Sequence, residues 1–149
     1  TSKFLHNDYA SAEGAGAAGG LGFAFLSYLN ATLTPGIDLI LNAVELEKEL
    51  EDTDITVTGE GRLDHQTAMG KAPVGIARRA KAHGCKVFVL AGSVEPEGAH
   101  TLQKDRPLVD GVFSILPGVL SLEDAMREEI AYENMRFTAE QVFRIVAGR

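Results

Sequence analysis

Glu60, Arg62, Asp64 and Lys71 crowd into one stretch, DITVTGEGRLDHQTAMGKAP, residues 54–73. Paired carboxylates can bind a divalent cation, orient a substrate hydroxyl or take its proton. An arginine offers a planar fork to a carboxylate or phosphate, and a lysine offers a point charge. Gly59 and Gly61 permit positive φ and close approach of a ligand to the backbone. The plain alternative is an ion pair, Arg62 with Glu60 or Asp64, that stiffens a turn. From spacing alone both readings stay open.

Two further patterns bear on phosphate. Met69-Gly70-Lys71 invites a P-loop, but that motif needs Gly at 65 and Ser or Thr at 72, where the chain has His65 and Ala72. Lys71 can still meet a phosphate as a point charge, or be a solvated side chain near a helix start. A helix start repels cations, so a lysine there is more suggestive than one elsewhere. Gly14, Gly16 and Gly19 match G-x-G-x-x-G, with Gly20 next. A dinucleotide site needs a strand directly before that pattern, and NDYASAE is a poor one, which argues against NAD or FAD. The remaining uses are close helix packing or a cradle of backbone N–H groups for an anion.

The elements that must position these residues follow from periodicity. Gly20 to about Leu33 reads as a helix, with Leu21, Phe25, Tyr28 and Leu29 at helical spacing and Pro35-Gly36 as its break. IDLILNAVELEKELED reads as helical. DITVT (54–58), KVFVLAG (86–92) and GVFSIL (111–116) read as buried strands. PVGIARRAKAHG (73–84) is a helix with Pro73 in its first turn, Gly84 just past its end and basic residues toward its C-terminus. EGAHTLQK is a short helix. SLEDAMREEIAYENMRFTAEQVFRIVAG is one long or two abutting helices, with Ser121 and Asp124 as an imperfect capping box. Strands alternating with helices imply an α/β fold with a parallel sheet. Ligands bind such sheets beyond the carboxyl ends of the strands. TGEGRLD, AGSVEPEG and LPG are therefore expected as loops on one rim. Three strands make only half of a doubly wound sheet, so further strands are expected from elsewhere in the protein or from another chain.

Bulk properties narrow the class. The 149 residues are 45% hydrophobic and 23% charged, enough for a core. A net charge of −7 argues against a general nucleic-acid binder. The single cysteine, Cys85, excludes an internal disulfide and reads as a buried inert thiol. There is no apolar signal-peptide region at the start and no uncharged apolar span of membrane length, so a cytoplasmic protein is expected. The chain opens on Thr1 rather than Met, as a processed or excised chain would.

GAGAAGGLGFAF, TPGIDLIL, ITVTGEGRLDHQTAMGKAPVGIARRAK and VFVLAGSV, in this order and spacing, resemble the glycerate kinases widespread in bacteria. The likeness runs from about Gly14 to the C-terminus. Its specific part is TGEGRLD followed by Gln66-Thr67, GKAP and GIA. The resemblance implies transfer of the γ-phosphoryl group of ATP, with Mg²⁺, to D-glycerate, giving 2- or 3-phosphoglycerate. It also implies two α/β domains, one inserted in the other, with the site in the cleft between them.

Family chains are more than twice as long and carry N-terminal motifs of the kind Asp-Ser-Phe-Lys-Gly and Asp-Gly-Gly-Glu-Gly, which are absent here. The resemblance thus implies a C-terminal portion. Residues 1–50 would be a Gly-rich helical segment ending the inserted domain, and residues 51–149 the returning half of a flavodoxin-like (Rossmann-like) domain. Its partners would be D-glycerate, the N-terminal portion of the same protein and, as an option, a second copy in a homodimer. Activity would belong to the full-length parent, not to this stretch alone.

Chemistry then suggests roles. Glu60 and Asp64 would bind Mg²⁺ or the glycerate hydroxyls, with Asp64 the first choice for the base. Arg62 and Lys71 would hold phosphate or carboxylate, beside Gly59 and Gly61. Gly14, Gly16, Gly19 and Gly20 would bind an anion from the other domain. The rival reading is a non-catalytic nucleotide- or anion-binding regulatory module.

Overall fold

A run of Val, Phe and Leu bounded by a lysine and glycines can be buried on both faces, and the chain uses it as the middle of a sheet. The computed structural model describes residues 9–67, 71–105 and 107–148. The start of the polar N-terminal stretch and the Met69-Gly70 step lie outside them. The chain forms two compact units, one up to Leu39 and one from Ile40 onward.

In the first unit, helix α1 (Ala17–Leu29) opens irregularly, with Ala18, Gly19 and Gly20 at φ of 50°, 68° and 95°. Regular helix begins after Gly20, where the sequence places it. It stops before Leu33 because Asn30 takes a left-handed conformation at its end (φ 52°), which an asparagine tolerates. A Cβ on Gly22 would fall 2.2 Å from the Gly14 carbonyl oxygen, so the helix packs against its own entry.

The run read as one helix after Pro35 is two, α2 (Gly36–Ala43) and α3 (Leu46–Leu50), divided at Glu45, whose φ is 52°. Then follow β1 (Ile55–Leu63), α4 (Ala72–Ala82), β2 (Lys86–Val94), α5 (Pro96–Gln103), β3 (Gly111–Ser114), α6 (Leu122–Ala125) and α7 (Glu128–Val146). The three strands form a parallel sheet in the order β1-β2-β3. The fold class is thus α/β, as expected.

Side chains alternate across β2. Val87, Val89 and Ala91 join Val74, Ala77 and Ala80 of α4, Leu102 of α5, Leu50 and Leu63 in one buried cluster. Phe88 and Leu90 join Ile115 and Val142 of α7 in another. Cys85 is buried at the foot of β2, with its thiol directed to the Thr53 carbonyl at 3.0 Å. Pro73 sits in the first turn of α4, and Gly84 follows its end at φ 82°. Ser121 caps α6 by accepting the Asp124 N–H, while its hydroxyl donates to the Asp124 carboxylate. Val57 on edge strand β1, with Val119, Leu122, Met126, Tyr132 and Ile145, stays exposed. Among the described residues no helix is long and apolar enough to cross a membrane.

The main departure from expectation is the length of β1. It does not stop at Thr58 but runs through Gly59, Glu60, Gly61 and Arg62 to Leu63, paired Gly59–Leu90, Glu60–Ala91 and Arg62–Ser93 with β2. Neither Gly59 nor Gly61 has positive φ. Gly59 serves close strand approach instead: a Cβ there would lie 2.4 Å from the Leu90 carbonyl oxygen.

Asp110 ties β3 to β2. Its carboxylate accepts the Val87 N–H at 2.6 Å and pairs with the Lys81 ammonium, and its own N–H donates to the Val87 carbonyl. Burial pushes this carboxyl up, but Lys81 and the Val87 N–H outweigh it and hold it below the ordinary carboxylate range. A group depressed in the folded state stabilises above its unfolded pKa, and the contribution disappears as pH falls through the folded one. Asp110→Ala orphans the N–H of the buried Val87 and should cost about 1–3 kcal/mol at neutral pH. In urea unfolding, the gap to the parent protein should narrow below the ordinary carboxyl range. A gap independent of pH would exclude the ion pair as its source.

Candidate active site

Because β1 and β2 run side by side to Leu63 and Val94, both deliver their next residues to the same carboxyl edge. Leu63 is fully buried and anchors that end of β1. The chain turns immediately afterwards. The Asp64 Oδ1 accepts the backbone N–H groups of Gln66 at 2.9 Å and Thr67 at 3.2 Å. In return, the Thr67 hydroxyl accepts the Asp64 N–H at 3.1 Å. This reciprocal closure has the logic of a capping box, with threonine in the third position.

The same Thr67 hydroxyl donates to Glu60 Oε1 at 2.6 Å. Lys71, at the N-terminal boundary of α4, brings its ammonium within 3.5 Å of Asp64 Oδ1. Glu60, Asp64 and Lys71 are therefore brought together, with Thr67 as the joint.

Arg62 takes a different partner from the two named in the ion-pair alternative. Its guanidinium holds Glu95, through Nε at 3.2 Å and through Nη2. Glu95 follows β2, and its N–H donates to the Leu63 carbonyl at 2.9 Å. Glu95 therefore raises the already high pKa of Arg62, and Asp64 adds a smaller pull. The alternative that paired Arg62 with Glu60 or Asp64 is not the one the fold uses, because register sets Arg62 beside the end of β2, where Glu95 emerges.

Burial pushes the Asp64 carboxyl up, yet the Gln66 N–H, the Lys71 ammonium and the Thr67 N–H together hold it below the ordinary range. Asp64 is thus an ionised acceptor at neutral pH. Helix α5 lies directly on this turn. A Cβ on Gly98 would sit 2.7 Å from the Asp64 carbonyl carbon and 2.9 Å from Leu63 Cδ2.

The other glycines of interest lie in the first unit. Gly14, Gly19 and Gly20 have positive φ, and Gly16 precedes α1 at φ −76°. Among the described residues no group of three or more His, Cys, Asp or Glu could hold a metal ion.

The family model described as the glycerate kinase family matches residues 1–147. The chain belongs to the glycerate kinase family. It is 44% identical over 140 residues to a glycerate kinase of Bacillus subtilis (strain 168), covering 94% of this chain and 35% of that protein. It is 39% identical over 133 residues to a glycerate 2-kinase of Escherichia coli (strain K12), covering 89% of this chain and 34% of that one. A crystal structure from Salmonella typhimurium LT2 that carries the name glycerate kinase 2 superposes with a TM-score of 0.68 at 38% identity. It covers 99% of this chain and 36% of that one. The chain thus spans about a third of the length of these glycerate kinase relatives.

Two residues of the assembled edge, Thr67 and Glu95, have no role assigned from sequence, although Thr67 falls within the motif that carries the family resemblance. Thr67 carried a usable signal, an aspartate followed three residues later by a hydroxyl. Glu95 carried none, since its contact with Arg62 spans 33 positions. Gly98 offers the sharpest check of this packing. Gly98→Ala forces α5 away from Asp64, and overpacking of this kind should cost about 1–3 kcal/mol in thermal unfolding. A variant as stable as the parent would show that α5 does not brace the turn.

Proposed function

We propose that this chain is the C-terminal portion of a glycerate kinase that transfers the γ-phosphoryl group of ATP to D-glycerate, giving a phosphoglycerate. The observation that carries this reading is the meeting of Glu60, Asp64 and Lys71 at the carboxyl edge of a parallel sheet, inside the family's TGEGRLD stretch. Phosphoryl transfer asks mainly for positioning and charge neutralisation, and this set supplies both signs of charge side by side.

Lys71 suits a phosphate oxygen, and the Arg62 fork suits phosphate or the glycerate carboxylate. The donor set also fits Mg²⁺. That ion is bound through one or two carboxylates together with substrate phosphates, rather than in an all-protein cage. Glu60 and Asp64 would hold it, and bound there it would neutralise charge on the transferring phosphate. A depressed pKa makes Asp64 a weak proton acceptor, so we assign it first to holding the cation or a glycerate hydroxyl, ahead of acting as the base.

In this reading residues 1–50 end an inserted domain and residues 51–149 return to a flavodoxin-like one. The Gly14–Gly20 segment would offer an anion site from the inserted domain. The N-terminal remainder of the protein would complete the cleft, so this stretch alone would not turn over. A cytoplasmic setting would give it ATP.

In the full-length protein, Asp64→Asn should lower kcat by about 10²-fold or more, the scale of losing one group that acts in the transition state. Thermal unfolding should change little. Part of the loss should return at high Mg²⁺ if Asp64 holds the ion. Coupled ADP release with ATP and D-glycerate measures all of this. An unchanged kcat would remove Asp64 from the chemistry, and ATP binding without turnover by the full-length parent would favour a regulatory module.

A further inference from the structure

We infer that Thr67 is the positioning residue of this edge, its buried hydroxyl fixing the Glu60 carboxylate relative to Asp64. The inference rests on the phosphoryl-transfer reading above. Thr67 is fully buried, yet its hydroxyl is not idle. A hydroxyl has one hydrogen to give and two lone pairs to receive. The Asp64 N–H, at 3.1 Å, occupies a lone pair and leaves the hydrogen directed at Glu60 Oε1, at 2.6 Å. A hydroxyl donating to a carboxylate makes a short, charge-assisted bond of this length. The Thr67 backbone N–H meanwhile donates to Asp64, at 3.2 Å from Oδ1. One residue therefore grips both acids, one through its side chain and one mainly through its backbone.

Glu60 needs such a grip. It stands on an edge strand between two glycines, Gly59 and Gly61, which give it no side-chain neighbours along the chain. Its flexible stem would otherwise sample many rotamers. Thr67 touches neither pole of the reaction itself, so its effect must pass through the two acids it holds, Glu60 by its hydroxyl hydrogen and the Asp64 turn by its lone pair and N–H.

Substitutions in the full-length protein separate this role from simple packing. Thr67→Val keeps the shape and loses the hydroxyl, while Thr67→Ser keeps the hydroxyl and loses a methyl. We expect Thr67→Val to lower kcat about 10–100-fold, the usual scale for residues that orient a ligand from behind. Thr67→Ser should retain kcat within about threefold even where its melting temperature falls, because the orienting bond survives. Thr67→Val added to Glu60→Gln should lose clearly less than the product of the two single losses, since both weaken the same Thr67–Glu60 contact and only the Asp64 N–H contact is lost with the valine alone.

Equal losses in the valine and serine variants, or losses that multiply, would overturn the inference. A slowly exchanging Thr67 hydroxyl proton in the NMR spectrum, lost in Glu60→Ala, reads the bridge without any turnover. Its absence from the parent protein would overturn the inference too. If instead that proton is present but the parent releases no ADP with D-glycerate, the phosphoryl-transfer reading fails and the bridge stands as structure alone.

Discussion

The parallel pairing of β1 with β2 holds register from Ile55 opposite Lys86 to Leu63 opposite Val94, and the candidate site depends on that length. If β1 ended at Thr58, Glu60 and Arg62 would sit on a loop with many conformations. Backbone hydrogen bonds to β2 instead fix their order and spacing. The pairing requires Gly59, because the Leu90 carbonyl lies where any side chain would begin. It also requires burial on both faces of β2, which α4 and α5 supply on one side and α7 on the other. A rigid element carrying charged groups to its open end is how α/β sheets build sites with few residues.

Beyond Leu63 the control passes from the sheet to side chains. The Asp64 turn closes on Thr67, Lys71 adds its charge, and α5 presses on the turn from outside. These contacts are local in sequence except for α5 and Glu95. The turn therefore has its own internal logic, and the sheet only aims it.

Legibility in the sequence followed the same division. KVFVLAG could be read as a buried strand because a parallel strand covered on both faces needs no alternation. The bounds of α4 were legible in Pro73 and Gly84, since both act through local backbone geometry. The extension of β1 was not, because Gly-Glu-Gly-Arg has poor strand propensity and pairing with β2 overrides it. The break at Glu45 gave no warning, having neither glycine nor proline. Glu60, Asp64 and Lys71 could be named from residue type and motif. The partner of Arg62 could not, because it depends on which strand ends beside which.

The Arg62–Glu95 contact has a consequence for traffic at this edge. Both side chains are well exposed, at 66% and 39%. Water already reaches the pair, so separating it opens no dry gap and strands no buried charge. The guanidinium therefore keeps a fork that solvent can reach, and an exposed pair of this kind holds with little energy. The resident pair thus ties the ends of β1 and β2 together without committing the arginine to a dry, closed contact.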